Sequence, residues 1–192
     1  MKTVKKCYHA NDPIFNKEDF NSGDGMMTSV WGPSMWHSMH TISFNYPVEP
    51  TKRDKLVYMN FYKTIGTVLP CRYCRENFIK NLKKVPITMD TMKNRETLSR
   101  WVYALHEEIN MMLGKNSGLS YDEVRTRYEM FRSRCLTPIE EKKLQKRIKT
   151  KKREKGCVKP LYGVKSKCVL KVVPKDIKTE SFEISPKCIL KK

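Results

Sequence analysis

Leu98, Trp101, Val102, Leu105, Ile109, Met112 and Leu113 recur at three- and four-residue steps and form the strongest amphipathic stripe in the chain. That period puts all seven on one face of a helix, and such a face needs other helices to cover it. Gly114 follows at once, where a helix C-cap takes a left-handed residue. The same period appears earlier. Trp31, Met35, Met39 and Ile42 mark a first helix, stopped by Tyr46, Pro47 and Pro50. Val57, Phe61, Ile65 and Val68 mark a second, entered through Thr51 and ended by Pro70. A short third starts at Cys71, runs through Phe78, Ile79 and Leu82, and closes at Pro86. Ser120 and Glu123 have the spacing of a capping box, opening a fifth helix that reaches Tyr128 and Phe131. No alternating strand pattern of useful length interrupts this region. The expected fold is therefore all-α, a compact bundle of about five helices: a four-helix core plus a short fifth.

A chain of 192 residues suits one well-packed domain plus an extension. Residues 1–28 are polar and show no sustained period, so they read as a mobile arm; 29–135 read as the helical domain and 136–192 as a basic, cysteine-containing C-terminal extension. The formal net charge is +19, and the extension supplies most of it, with 18 Lys and Arg against 6 acidic residues. Clustered positive charge releases counterions from any polyanion it meets, so nucleic acid, an anionic membrane or an acidic partner could each attract it; a solvated, solubilising tail is the plainer reading. Thr137, Pro138, Ile139 and Glu140 resemble another helix start, but the run behind them offers only Leu144 and Ile148 as further apolar contacts, so a solvated helix or disorder is expected. No apolar run approaches the roughly 20 residues that cross a bilayer, and the first residues lack the apolar core of a signal peptide. These features lead us to expect a soluble, cytoplasmic and unsecreted protein.

Seven cysteines cannot all be used in closed intrachain pairs. The sharpest local signal is Pro70, Cys71, Arg72, Tyr73 and Cys74. Two intervening residues let the sulfurs meet within one turn; a helix N-terminus stabilises a thiolate, and Arg72 and Arg75 add positive charge, so at least one of the pair should have a depressed pKa. Half of a zinc site is the competing reading, with His37 and His40 as the second ligand pair; it would make the chain a zinc-stabilised, basic nucleic-acid-binding protein. A thioredoxin-like fold is not expected, because the motif there follows a strand. Two helices near the motif carry polar and aromatic pairs at one-turn spacing: Trp36 with His40, and His106 with Asn110, the latter followed by Leu113, Gly114 and Lys115.

From Trp31 to Cys135 the sequence resembles the Erv/ALR FAD-linked sulfhydryl oxidases. Gly32, Trp36, His40 and Tyr46-Pro47 resemble the family's opening pattern, Cys71 and Cys74 its proline-preceded CxxC, and His106, Asn110 and Leu113-Gly114-Lys115 its fourth-helix pattern. Tyr128 falls where the family has an aromatic that closes over the cofactor. The resemblance implies non-covalent FAD held by Gly32, Trp36, His40, Tyr46, His106, Asn110, Lys115 and Tyr128, with no metal. It implies that Cys74 is the cysteine nearer the flavin, that Cys71 exchanges with protein dithiols, a thioredoxin-like carrier being one candidate, and that O2 takes the electrons to give hydrogen peroxide. It also implies a homodimer and a relay through cysteines outside the bundle, for which Cys7, Cys135, Cys157, Cys168 and Cys188 are the candidates. The lack of a signal peptide and the unusual tail look most like the members found in large DNA viruses, which places the protein in host cytoplasm or virion. Two positions depart from the family pattern, Pro33 where Arg is common and Glu107 where Asn is common. The family's extra structural disulfide has no cysteines here either.

Overall fold

A computed structural model describes residues 17–140, 157–180 and 182–189. Six helices follow one another: α1 (Lys17–Asn21), α2 (Thr28–Phe44), α3 (Lys52–Val68), α4 (Arg72–Lys84), α5 (Arg95–Met112) and α6 (Tyr121–Glu129). Two short strands, β1 (Ser133–Cys135) and β2 (Cys157–Pro160), then pair antiparallel, and a 3-10 turn spans Pro186–Cys188. The bundle is the expected one, with α1 and the strand pair added.

The helix starts are chemically explicit. Thr51 with Asp54, Asn94 with Thr97, and Ser120 with Glu123 each form a reciprocal capping box that satisfies backbone N–H groups left free in a first turn. At the end of α5, Gly114 has φ +65°, its N–H bonds the Met111 carbonyl at 3.0 Å, and the Lys115 N–H bonds the Asn110 carbonyl at 2.8 Å. Those two hydrogen bonds close the last turn and place Lys115 just past it. The carbonyls at the end of α2 are taken up by two arginines: Arg132 donates to Phe44 O and Arg95 to Tyr46 O.

Met39, Tyr46, Met59, Tyr62, Ile65, Leu69, Phe78, Met92, Leu98, Trp101, Val102 and Leu105 form the buried core. Its polar groups are paired: Tyr62 donates to Met39 O at 2.9 Å, Tyr46 to Met92 O at 3.0 Å and Trp101 to Val85 O at 3.1 Å. At Gly66 the α3 backbone meets the Phe78 ring so closely that an added Cβ would lie 2.1 Å from Cδ1, which seats α4 directly against α3.

Three expectations are revised. The buried face of α3 runs through Met59, Tyr62, Ile65 and Gly66, while Val57, Phe61 and Val68 are exposed. The segment read as a mobile arm holds α1 and is bonded to the domain through Asp24, Gly25 and Met26. The extension, for which no strand was expected, contributes β2, which pairs with β1. The helix start at Thr137 keeps its side-chain bonds with Glu140, whereas the run behind it, like Cys7, lies outside the described residues.

Candidate active site

The chain turns from Pro70 into α4 with Cys71 as N-cap, extended at φ −161°, and the Cys71 sulfur accepts the Cys74 N–H at 3.2 Å. The two cysteines therefore sit on one helix tip in different surroundings. Burial pushes the Cys71 thiol up, but hydrogen bonds from the Cys74 thiol and backbone, Thr28 and the Tyr73 N–H outweigh it and hold the group below the ordinary thiol range. Cys74 goes the other way. Burial first, then its bond to Cys71 and the charge there, raise it against the pull of Thr28 and Arg75. The Cys71 thiolate is thus the better stabilised of the pair, and Cys74 is the member packed against the core.

A strap from the N-terminal side crosses this tip. Met26 N–H bonds Pro70 O at 2.6 Å, Arg72 N–H bonds Asp24 O at 3.0 Å, and Gly25 pairs with Cys71 in an antiparallel bridge. Only glycine fits, since φ is +110° and a Cβ would lie 2.4 Å from Pro70 O. Thr28, next along, brings its hydroxyl to 3.6 Å from the Cys74 sulfur. Of the two arginines expected to lend charge, Arg72 is paired with Asp24 at 3.4 Å and Arg75 donates to Leu69 O at 2.7 Å while still acting on Cys74.

Inside the bundle, α2, α5 and α6 bring four of the sequence-predicted residues into one aromatic string. Trp36 stacks on His106 with centroids 3.9 Å apart and planes 6° from parallel; His106 Nδ1 and His40 Nε2 share a hydrogen bond at 3.1 Å; His40 stacks on Tyr128 at 5.1 Å. Asn110 and Glu107 extend the α5 side, Asn110 donating to the Glu107 carboxylate at 2.9 Å. Burial, with the charges of His106 and His37, pushes the His40 pKa down to about 3. Burial also lowers His106; Glu107 opposes that and Lys115 reinforces it, leaving the group at about 4. Both imidazoles are neutral at pH 7, so the string is a stack of uncharged rings.

A flat aromatic ligand with polar edges matches that lining. Nδ1 of His40 and Nδ1 of His37 are buried without any hydrogen-bond partner, and buried imidazole nitrogens are otherwise paired. The donor set of neutral rings, an amide and a peripheral lysine therefore fits a flavin dinucleotide better than a metal. Among the described residues no three His, Cys, Asp or Glu side chains gather closely enough to hold a metal ion, so the zinc reading has no ligand set there.

Two predicted residues stand apart. Tyr46 is fully buried, its ring edge-on to Tyr58 and its hydroxyl on Met92 O, so it acts as a core post. Gly32 is buried in α2, where an added Cβ would make only ordinary contact with Thr28. Thr28, His37 as a stacking ring, Phe44, Phe131 and Phe182 were missed. Phe44 stacks on Tyr128 at 5.3 Å and stands four residues beyond His40, so the helical period could have found it. Phe182 carries no such signal. Of the cysteines outside the motif, Cys135 and Cys157 face each other across the strand pair with sulfurs 2.8 Å apart; Cys168 is exposed and Cys188 half-buried. No described helix is long and apolar enough to cross a membrane.

The chain is similar to a probable FAD-linked sulfhydryl oxidase of Acanthamoeba polyphaga mimivirus, 37% identical over 98 residues that cover 51% of this chain and 68% of the relative. A putative FAD-linked sulfhydryl oxidase of Invertebrate iridescent virus 6 is 31% identical over 45% of this chain and 81% of its own length. A crystal structure of the FAD binding domain of Erv1 from Saccharomyces cerevisiae aligns with a TM-score of 0.49 at 25% identity, over 54% of this chain and 94% of that one. The model of the Erv1 / Alr family matches residues 33–129, a span that holds the CxxC and the string from Trp36 to Tyr128. The chain belongs to the Erv1 / Alr family.

Proposed function

We propose that this protein is an FAD-dependent thiol oxidase that makes disulfides in protein dithiols. The observation that carries the reading is the split character of Cys71 and Cys74 at the α4 tip, within a matched family span that also holds a neutral aromatic string suited to a flavin. When bound, FAD supplies a two-electron acceptor that O2 can reoxidise, with hydrogen peroxide as product. Trp36, His40, His106 and Tyr128 would stack on it or bond its edges, with Asn110 and Lys115 beside them and Gly32 leaving room along α2.

The chain's own part is thiol–disulfide exchange. In the oxidised pair, a substrate thiolate attacks the Cys71 sulfur, forming a mixed disulfide and releasing Cys74 as a thiolate. The second substrate thiolate then attacks the substrate sulfur of that bond and expels Cys71, whose low pKa makes it a good leaving group. The substrate leaves as a disulfide, and its two electrons stay on the Cys71 and Cys74 dithiol. Cys74, half-buried and on the core side, is the member that hands them inward.

Cys135 and Cys157 are the relay pair best supported by geometry, because juxtaposed thiols can pass two electrons to the Cys71–Cys74 disulfide, become a disulfide themselves and then exchange with a substrate dithiol. The exposed apolar residues Leu56, Val57, Phe61 and Val68 on α3 support a homodimer through that helix. The viral relatives support a place in host cytoplasm or virion.

Purified protein should be yellow, its flavin band should bleach with dithiol in the absence of air, and Cys74→Ser should keep the colour while losing dithiol-dependent oxygen uptake. A colourless protein that takes up no added FAD refutes the reading. Cys157→Ser should retain turnover of a small dithiol and lose at least tenfold with a reduced protein; equal rates would remove the relay.

A further inference from the structure

We infer that the C-terminal extension completes the cofactor site, with Phe182 as a further cofactor-binding residue outside the family span. This rests on the FAD reading above and adds a wall to the same site.

Three rings receive Phe182. Its centroid lies 5.1 Å from His37, 6.3 Å from Tyr128 with planes 9° from parallel, and 6.0 Å from Phe131 in an edge-on arrangement. The string Trp36, His106, His40, Tyr128 is thereby lengthened by one aromatic. His37, the ring nearest Phe182, also carries one of the two buried nitrogens that have no partner.

The docking is selective. Residues 161–180 are exposed throughout, leaving Val169, Leu170, Val172, Val173 and Ile177 in water, whereas Phe182 is half-buried. Nonspecific apolar collapse would have taken the aliphatic residues too.

The return path is fixed at both ends. Ser133 pairs with Pro160, and Leu161 N–H bonds Arg132 O at 3.0 Å. Val164 N–H then bonds Lys187 O at 3.0 Å, at a turn where Gly163 has φ +62° and a Cβ would lie 2.7 Å from the Cys188 carbonyl carbon. Phe182 is five residues from the second anchor, so its position against Tyr128 is held by the fold.

The test titrates FAD into full-length apoprotein and follows quenching of flavin fluorescence. Phe182→Ala should raise the FAD Kd about three- to tenfold, the effect of one aromatic pair, and Phe182→Trp should restore it. An unchanged Kd overturns the inference; tighter binding also overturns it, since Phe182 would then compete with the cofactor. Should Phe182→Ala lose its helical circular dichroism, Phe182→Leu and Phe182→Tyr decide: weak binding by Leu with normal binding by Tyr supports the role, and equal binding overturns it. Wild-type protein that binds no FAD defeats the thiol-oxidase reading and this one with it, whereas wild-type binding unaffected by every Phe182 variant defeats this one alone.

Discussion

Burial sets the protonation state of the two histidines in the site, His40 and His106. An unfolded chain protonates His40 and His106 near pH 6.5, while the folded chain does so only near 3 and 4. Because the folded values lie below the unfolded ones, the stability they contribute is complete above about pH 6.5 and drains away as the pH falls through the folded values. Melting curves from pH 7.5 to 4.5 should therefore show a falling Tm, with a shallower slope in His40→Asn; parallel slopes would show that other groups are responsible. At this scale the sequence was readable where spacing on one element carries the signal, as in the Cys71–Cys74, Trp36–His40 and His106–Asn110 pairs, and Tyr128 entered only by the family resemblance. It was unreadable where a partner comes from far along the chain. Nothing near Thr28 announces a cysteine 46 residues away, and nothing near Phe182 announces His37.

Helix α4 presents the CxxC, and its seat on α3 depends on Gly66. Replacing that glycine with alanine forces Cβ into the Phe78 ring, so Gly66→Ala should cost about 1–3 kcal/mol by urea unfolding. A change within a few tenths of a kcal/mol would mean that Phe78 can turn aside. Element identities were legible because proline, glycine and capping residues punctuate the chain at Thr51, Pro70, Gly114 and Ser120. Facing was less so. On α3 the apolar series Val57, Phe61, Ile65 and Val68 suggests a core stripe, yet only Ile65 of it is buried and Tyr58 and Tyr62 take inner positions, Tyr62 by donating its hydroxyl to the Met39 carbonyl. A buried tyrosine with a partner outcompetes a valine for the interior, and a hydrophobic count cannot see the partner. The strands were invisible for a related reason, since Cys157–Pro160 is four residues long and stabilised by its opposite strand.

At the level of the whole molecule, the misplaced α3 stripe becomes informative. Val57, Phe61 and Val68 leave apolar surface in water, which a second copy could cover. Light scattering should give twice the chain mass, and Phe61→Glu with Val57→Lys should halve it; a wild-type monomer at micromolar concentration would exclude this face. The same molecule also shows where its boundaries lie. Asp24, Gly25 and Met26 hold the peptide around Cys71, and Arg132 binds both the Glu129 carboxylate and the last turn of α2, although all four stand outside the matched residues 33–129. A recombinant piece trimmed to that span would lose the brace around Cys71 and leave a carbonyl on α2 uncapped. A fragment that keeps both contacts has to reach from Asp24 to Arg132, beyond the family signature on either side.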